Sequence, residues 1–124
     1  MTKKAYNILI IEDDRATRIL LDNFFRTKGY SSYGVATGEK ACAELERNIP
    51  QLILIDILLP GMDGIEVSRK IKSTERLKSI PIYLISAVPE DEVRSNLQEA
   101  KADGYLLKPF DFERFDPLLE DLSN

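Results

Sequence analysis

Four places in this chain carry residues able to act on one charged ligand: the acidic run Glu12-Asp13-Asp14, the aspartate Asp56 inside LILIDILLPGMDG, Ser86 at the end of IPIYLIS, and Lys108 in GYLLKPF. Asp56 is the anomaly, because aliphatic residues stand on both sides of it. A carboxylate beside that much apolar surface is costly to desolvate, so it must be solvated at a turn, paired or bound. Carboxylates crowded together repel one another, which lowers stability unless a cation sits among them. An all-oxygen donor set, with no nitrogen or sulfur, suits Mg²⁺, with Mn²⁺ as a substitute. An aspartate beside such an ion, with a hydroxyl and an ammonium aimed at the same space, can accept a phosphoryl group. The carboxylate is then the nucleophile, and the cations neutralise the equatorial oxygens. Taken singly, each residue has an ordinary explanation. Asp14 serves as a helix N-cap, Asp56 as a turn residue, Ser86 as a cap or turn hydroxyl, and Lys108 as a surface lysine.

Their meaning depends on the elements that position them. Short apolar runs at 7–11, 31–36, 51–55, 80–86 and 104–108 alternate with amphipathic stretches. Hydrophobicity that is continuous rather than alternating predicts strands buried on both faces. The first helical pattern covers 15–28, with Ala16, Leu20 and Phe24 on one line and Leu21 and Phe25 beside it; Lys28 and Gly29 mark its end. The second follows Thr37 as N-cap, with Ala41 and Leu45 facing inward. The third follows Asp63-Gly64, with Ile65, Ser68 and Ile71 on one side. The fourth spans 90–100, and the fifth begins after Asp111. Pro117 falls inside that last helix and predicts a kink, or a restart with Asp116 as cap. Pro81 opens the fourth strand, where a missing N–H is tolerated.

Repeated strand–helix alternation predicts an α/β fold: a doubly wound, five-stranded parallel sheet between two helical layers, a flavodoxin-like three-layer sandwich. In the strand order 2-1-3-4-5 the first and third strands are neighbours at the topological switch point, where ligands bind outside the strand C-termini. The acidic run and Asp56 then stand side by side, with Ser86 and Lys108 on the other flank.

The chain of 124 residues suits one domain, 1–124, and its balance of 44% hydrophobic and 31% charged residues is that of a folded protein. A net charge of −4 argues against a nucleic-acid partner, since phosphates call for a basic surface. There is no histidine. That removes Ser–His and Cys–His catalysis and the usual zinc motifs, and it means the chain is no phosphohistidine donor. The lone cysteine, Cys42 in KACAEL, forms no internal disulfide and reads as a half-buried helix residue. Lys3 and Lys4 precede an apolar run too short for a signal peptide, and no stretch spans a membrane; a cytoplasmic location is expected.

The motifs ILIIEDD, LILIDILLPGMDG, LISA and GYLLKPF, in that order over essentially the whole chain, resemble those of response-regulator receiver domains of two-component signalling. The resemblance implies a signalling module rather than an enzyme with its own substrate. It implies that Asp56 is the phosphoacceptor, that Asp13 ligates Mg²⁺ directly with Glu12 acting through water, and that the Leu58 carbonyl completes the protein's ligands. It makes Ser86 the switch hydroxyl, Tyr105 the aromatic whose rotamer follows it, and Lys108 the partner of the phosphoryl oxygens. It implies a cis bond before Pro109. It also implies a histidine kinase or phosphotransfer protein as phosphoryl donor, and an output surface of the fourth helix, fifth strand and fifth helix read by a downstream target. Phosphorylation-dependent homodimers are also a family trait. Output is expected to come from a partner, or from further domains if the chain is part of a longer protein.

Other readings fit less well. A haloacid-dehalogenase-like phosphatase wants a second aspartate two residues after the nucleophile, where this chain has Leu58. A flavodoxin-like cofactor site wants a phosphate-cradling loop after the first strand, where this chain has three carboxylates. A receiver-like module without phosphorylation usually lacks an acceptor, acidic residue or lysine, and none is lacking here.

Overall fold

A computed structural model describes residues 6–123; Lys3 and Lys4 lie outside them. The apolar runs form strands β1 (Ile8–Ile11), β2 (Ser32–Val35), β3 (Leu52–Asp56), β4 (Ile82–Ser86) and β5 (Gly104–Leu107). All pair in parallel, in the order β2-β1-β3-β4-β5. The central strands β1 and β3 are buried throughout, as continuous hydrophobicity demands, whereas the edge strands β2 and β5 are only partly covered.

Between the strands run α1 (Arg15–Thr27), α2 (Gly38–Leu45), α3 (Gly64–Lys72) and α4 (Glu90–Ala100). Alternate strand residues face different layers. Leu9 and Ile11 of β1, with Ile53, Ile55, Ile82 and Leu84, meet Ala41, Leu45, Val67, Ile71 and Val93 of α2, α3 and α4. Ile8 and Ile10, with Leu52, Leu54 and Ile85, meet Leu21 and Phe25 of α1 and the C-terminal segment. No helix among the described residues is long and apolar enough to cross a membrane.

The helix starts follow local chemistry. Asp14, Thr37 and Asp63 each accept a backbone N–H from the residue three positions on, the N-cap arrangement that satisfies an orphan donor. At the end of α1, Gly29 takes a positive φ of 88°, the left-handed position expected of a helix terminator.

Two expectations need correction. The line of α1 that enters the core is Leu21 and Phe25; Leu20 is half exposed and Ala16 faces solvent. The helix lies on the sheet through the neighbouring line, and Phe24 turns to stack on Phe112 with centroids 4.5 Å apart. The C-terminal segment does restart, but at Asp116, after a 3₁₀ turn over Phe112–Phe115 capped by Asp111. Asp116 is already helical, with φ −56° and ψ −47°, so it begins α5 (Asp116–Ser123) and does not cap it. Proline then occupies the first turn, where its missing N–H leaves no bond unmade. Cys42 is half-buried as expected.

A buried polar knot fastens α2 to the start of the chain. The Glu44 carboxylate accepts from the Tyr6 hydroxyl at 2.7 Å, Asn48 Nδ2 at 2.7 Å and Arg47 Nη2 at 3.1 Å. Burial pushes the Glu44 pKa up, but these bonds outweigh it and hold it below its usual 4.5. A depressed carboxylate contributes stability above its unfolded pKa and loses it as pH falls through the folded one. Glu44→Ala strands the buried Tyr6 hydroxyl and is expected to lower stability at pH 7 by about 2 kcal/mol. In urea melts that deficit should shrink below pH 4.5; a constant deficit would mean that packing, not the carboxylate, matters.

Candidate functional site

The parallel register brings the acidic residues together. Ile11 pairs with Ile55, so Glu12 and Asp56, each one residue further on, emerge side by side at the edge of β1 and β3. On the next strands Asp56 pairs with Ile85 and Ser86 with Leu107, which places Ser86 and Lys108 along the same edge. Glu12, Asp56, Ser86 and Lys108 therefore lie along one edge of the sheet.

Glu12 is fully buried and Asp56 nearly so, while Asp13 is exposed. Carboxylate oxygens of the three lie within 4.8 Å of one another. The cation that makes such crowding tolerable is Lys108. Its ammonium bonds the Glu12 Oε1 oxygen and stands 3.1 Å from Asp56 Oδ2. Lys108 is held in turn by its own backbone N–H, which donates to the Ser86 carbonyl at 2.8 Å. The Lys108–Pro109 bond is cis, as the resemblance implied.

The remaining polar atoms are satisfied locally. Asp56 Oδ1 accepts the Leu58 N–H at 3.0 Å, and Glu12 Oε2 accepts the Asp14 N–H at 3.2 Å. The Ser86 hydroxyl accepts the Val88 N–H at 2.9 Å. Burial first, and hydrogen bonding with Asp56 second, push the Glu12 pKa up to about 7 against the opposing pull of Lys108. Burial alone would lower the Lys108 pKa, but its two carboxylate partners more than reverse this and raise it.

The donor set fits a hard divalent cation. It is all oxygen, it converges on one point, and a cationic side chain already occupies part of that space. Tyr105 lies apart from these groups: its hydroxyl donates to the Glu90 carboxylate at the start of α4 and accepts from Arg94 Nε at 3.2 Å. The Leu58 side chain is 62% exposed at the mouth of the cleft, and Val88 is partly buried against the core.

Sequence reasoning missed two supporting residues. Arg18 donates through Nη1 to the carbonyls of both Glu12 and Asp13, at 2.7 and 2.9 Å. Gly64, noted in the sequence only as a helix start, lies against the backbone of Asp56. A lone arginine one turn into a helix has no distinguishing mark in sequence. A glycine right after an N-cap aspartate does, because helix interiors disfavour it.

A doubly wound parallel sheet with a carboxylate cleft at its switch point defines the class. A family model described as the response regulator receiver domain matches residues 8–120, and the chain belongs to that family. It is therefore a signalling module of two-component systems, a family whose members bind Mg²⁺ in an acidic pocket and interact with histidine kinases or phosphotransfer proteins and with downstream effectors. The chain is 33% identical to sporulation initiation phosphotransferase F of Bacillus subtilis over 106 residues, covering 86% of this chain and 84% of that protein. It is 36% identical over 106 residues to a cyclic di-GMP phosphodiesterase of Thermotoga maritima, where the match spans 86% of this chain but only 28% of the relative. The receiver domain of the sensor histidine kinase PA1611 from Pseudomonas aeruginosa, solved with magnesium coordinated in its active site cleft, superposes with a TM-score of 0.85 at 29% identity, over 96% of this chain and 98% of that one.

Proposed function

We propose that the chain acts as one receiver unit over 1–124, switched by phosphorylation of Asp56. The observation that carries this reading is the convergence of Lys108 on Glu12 and Asp56 at the switch point. Glu12, Asp13, Asp56 and the Leu58 carbonyl would hold Mg²⁺ or Mn²⁺, and the ion would neutralise the phosphoryl oxygens. A carboxylate oxygen of Asp56 forms the new O–P bond as the P–N bond of a phosphohistidine donor breaks, the electron pair leaving with the imidazole. Lys108 offers its ammonium to the phosphoryl group in place of the Asp56 carboxylate. Ser86 exchanges its contact with the Val88 N–H for one to a phosphoryl oxygen, and Tyr105 leaves Glu90 to follow it.

The donor on this reading is a cytoplasmic histidine kinase or phosphotransfer protein, and phosphotransfer is what the name of the Bacillus relative denotes. The output surface on this reading is that of α4, β5 and α5; between α4, β5 and the segment that follows β5, a groove of about 650 Å³ is lined by Tyr83, Glu90, Tyr105, Phe110 and Arg114 among others. A downstream target, or a second copy of the chain on phosphorylation, would dock there; neither nucleic acid nor a membrane is required.

Incubation with acetyl phosphate and Mg²⁺, followed by intact mass, tests the assignment. Wild type should gain one phosphoryl adduct and Asp56→Asn none. An adduct on both, or on neither even with a cognate donor, would refute it. The decay of that adduct tests a second point. Leu58 and Val88, two residues after Asp56 and Ser86, flank the approach of a hydrolytic water, and neither aliphatic side chain can orient it. The phosphoryl state should be long-lived, and Leu58→Asn with Val88→Glu should speed its loss by about tenfold or more. An unchanged decay rate would refute this.

A further inference from the structure

Asp13 is the exposed member of the acidic set, and its carboxylate has no hydrogen-bond or ion-pair partner among the described residues. With no side-chain contact to hold it, the place from which that carboxylate can reach an ion is set by its backbone. That backbone is held from α1: Arg18 Nη1 donates to the carbonyl of Glu12 at 2.7 Å and to that of Asp13 at 2.9 Å. One guanidinium nitrogen thus ties two consecutive peptide units of the β1–α1 loop to the first turns of the helix that follows it.

The route taken by Arg18 explains a second oddity. Gly34 sits inside β2, where glycine weakens a strand and marks a close approach. A Cβ at position 34 would lie 2.7 Å from Arg18 Cδ and 3.3 Å from its Cγ. Glycine there leaves room for the arginine stem to cross the edge strand and reach the loop.

We propose that Arg18 is a positioning residue for the divalent-cation site, fixing the Glu12–Asp13 backbone so that the Asp13 carboxylate is presented to the ion, and that Gly34 provides its passage. This rests on the Mg²⁺-dependent reading of the site given above. Partners that orient metal ligands commonly change affinity by about ten- to hundredfold when removed.

The test is Mg²⁺ binding by calorimetry on the full chain, with metal-free melting measured alongside. Arg18→Ala should weaken Mg²⁺ binding about tenfold or more. Its acetyl-phosphate adduct should return to the wild-type level once Mg²⁺ saturates. Gly34→Ala should weaken binding in the same direction, and should add nothing in the Arg18→Ala background, because both act through one contact. Arg18→Lys, with a single ammonium for two carbonyls, should fall between wild type and Arg18→Ala. A purely structural Arg18 would lower the melting temperature and leave Mg²⁺ affinity unchanged, which overturns the proposal. Full additivity of the two alanine variants overturns it as well. If Arg18→Ala does not fold, Gly34→Ala and Arg18→Lys decide by the same affinity criterion. Wild type that binds no Mg²⁺ would refute the functional reading itself, and this inference with it; wild-type affinity in the variants refutes the inference alone.

Discussion

Lys108→Met is expected to destabilise the metal-free protein by about 3 kcal/mol at pH 8, with a much smaller loss at pH 5. The lysine is the cation between a fully buried Glu12 and a nearly buried Asp56. Removing one partner from such a cluster leaves charge uncompensated in a poorly solvated place, which typically costs about 3–5 kcal/mol. Glu12 supplies the pH dependence. Its folded pKa is raised from 4.5 to about 7, so its contribution to stability is present below 4.5 and is lost as pH rises through 7. Without the ammonium that pull disappears, the folded pKa rises further, and the loss deepens on the alkaline side. At pH 5 Glu12 is already protonated in wild type and has little left to lose. Urea denaturation in the presence of a chelator reads both values; an equal deficit at pH 5 and pH 8 would show that Glu12 is not the responding group. The same variant should accept phosphoryl groups poorly even with Mg²⁺ present, because the phosphoryl oxygens lose a counter-charge.

Gly64→Ala should lower stability by about 3 kcal/mol or more, at the upper end of what overpacking does. The glycine opens α3 and its N–H donates to the Ile57 carbonyl at 3.0 Å. An added Cβ would lie 2.1 Å from the Asp56 carbonyl oxygen and 2.9 Å from Ile57 Cα. These are backbone atoms at the end of a central strand, so relief requires moving either the helix start or the Asp56 peptide. Gly104→Ala is the internal comparison. There the Cβ would meet the Tyr83 ring, 2.4 Å away at Cε2, and a partly exposed side chain can swing aside. Gly64→Ala should therefore lose more stability than Gly104→Ala, and only the former should also impair adduct formation on Asp56. Equal urea midpoints for the two would contradict the distinction between a backbone wall and a side-chain wall.

The strands were legible because the central ones are buried on both faces and are written as unbroken aliphatic runs. Strand order was legible because the polar residues make sense together only if their strand ends share one edge. α1 was harder. Leu20 and Phe24 are as apolar as Leu21 and Phe25, and nothing in a period of 3.6 says which of two adjacent lines lies on the sheet. The choice depends on packing against Ile8, Ile10 and Phe115 from distant parts of the chain. The 3₁₀ turn at Phe112–Phe115 was hidden for a similar reason: it is set by an aromatic cluster in which Phe112 and Phe115 meet each other and both Phe24 and Phe110. In the candidate site the acidic residues, Ser86 and Lys108 could be read from strand ends. Arg18 could not, because its role consists of bonds to main-chain carbonyls, which every sequence possesses.

The bridge made by Lys108 also ties the edge of the sheet to its centre. Its partners are 96 and 52 residues earlier in the chain. The two carboxylates stand on the neighbouring central strands β1 and β3, whereas the ammonium between them comes from the end of β5 at the sheet edge. The neutralisation of the acidic pair therefore depends on a residue supplied by the edge strand rather than by the strands that carry the carboxylates. Loosening of β5 at the sheet edge would leave the two carboxylates without that counter-charge, so the edge strand and the acidic pair are coupled in stability.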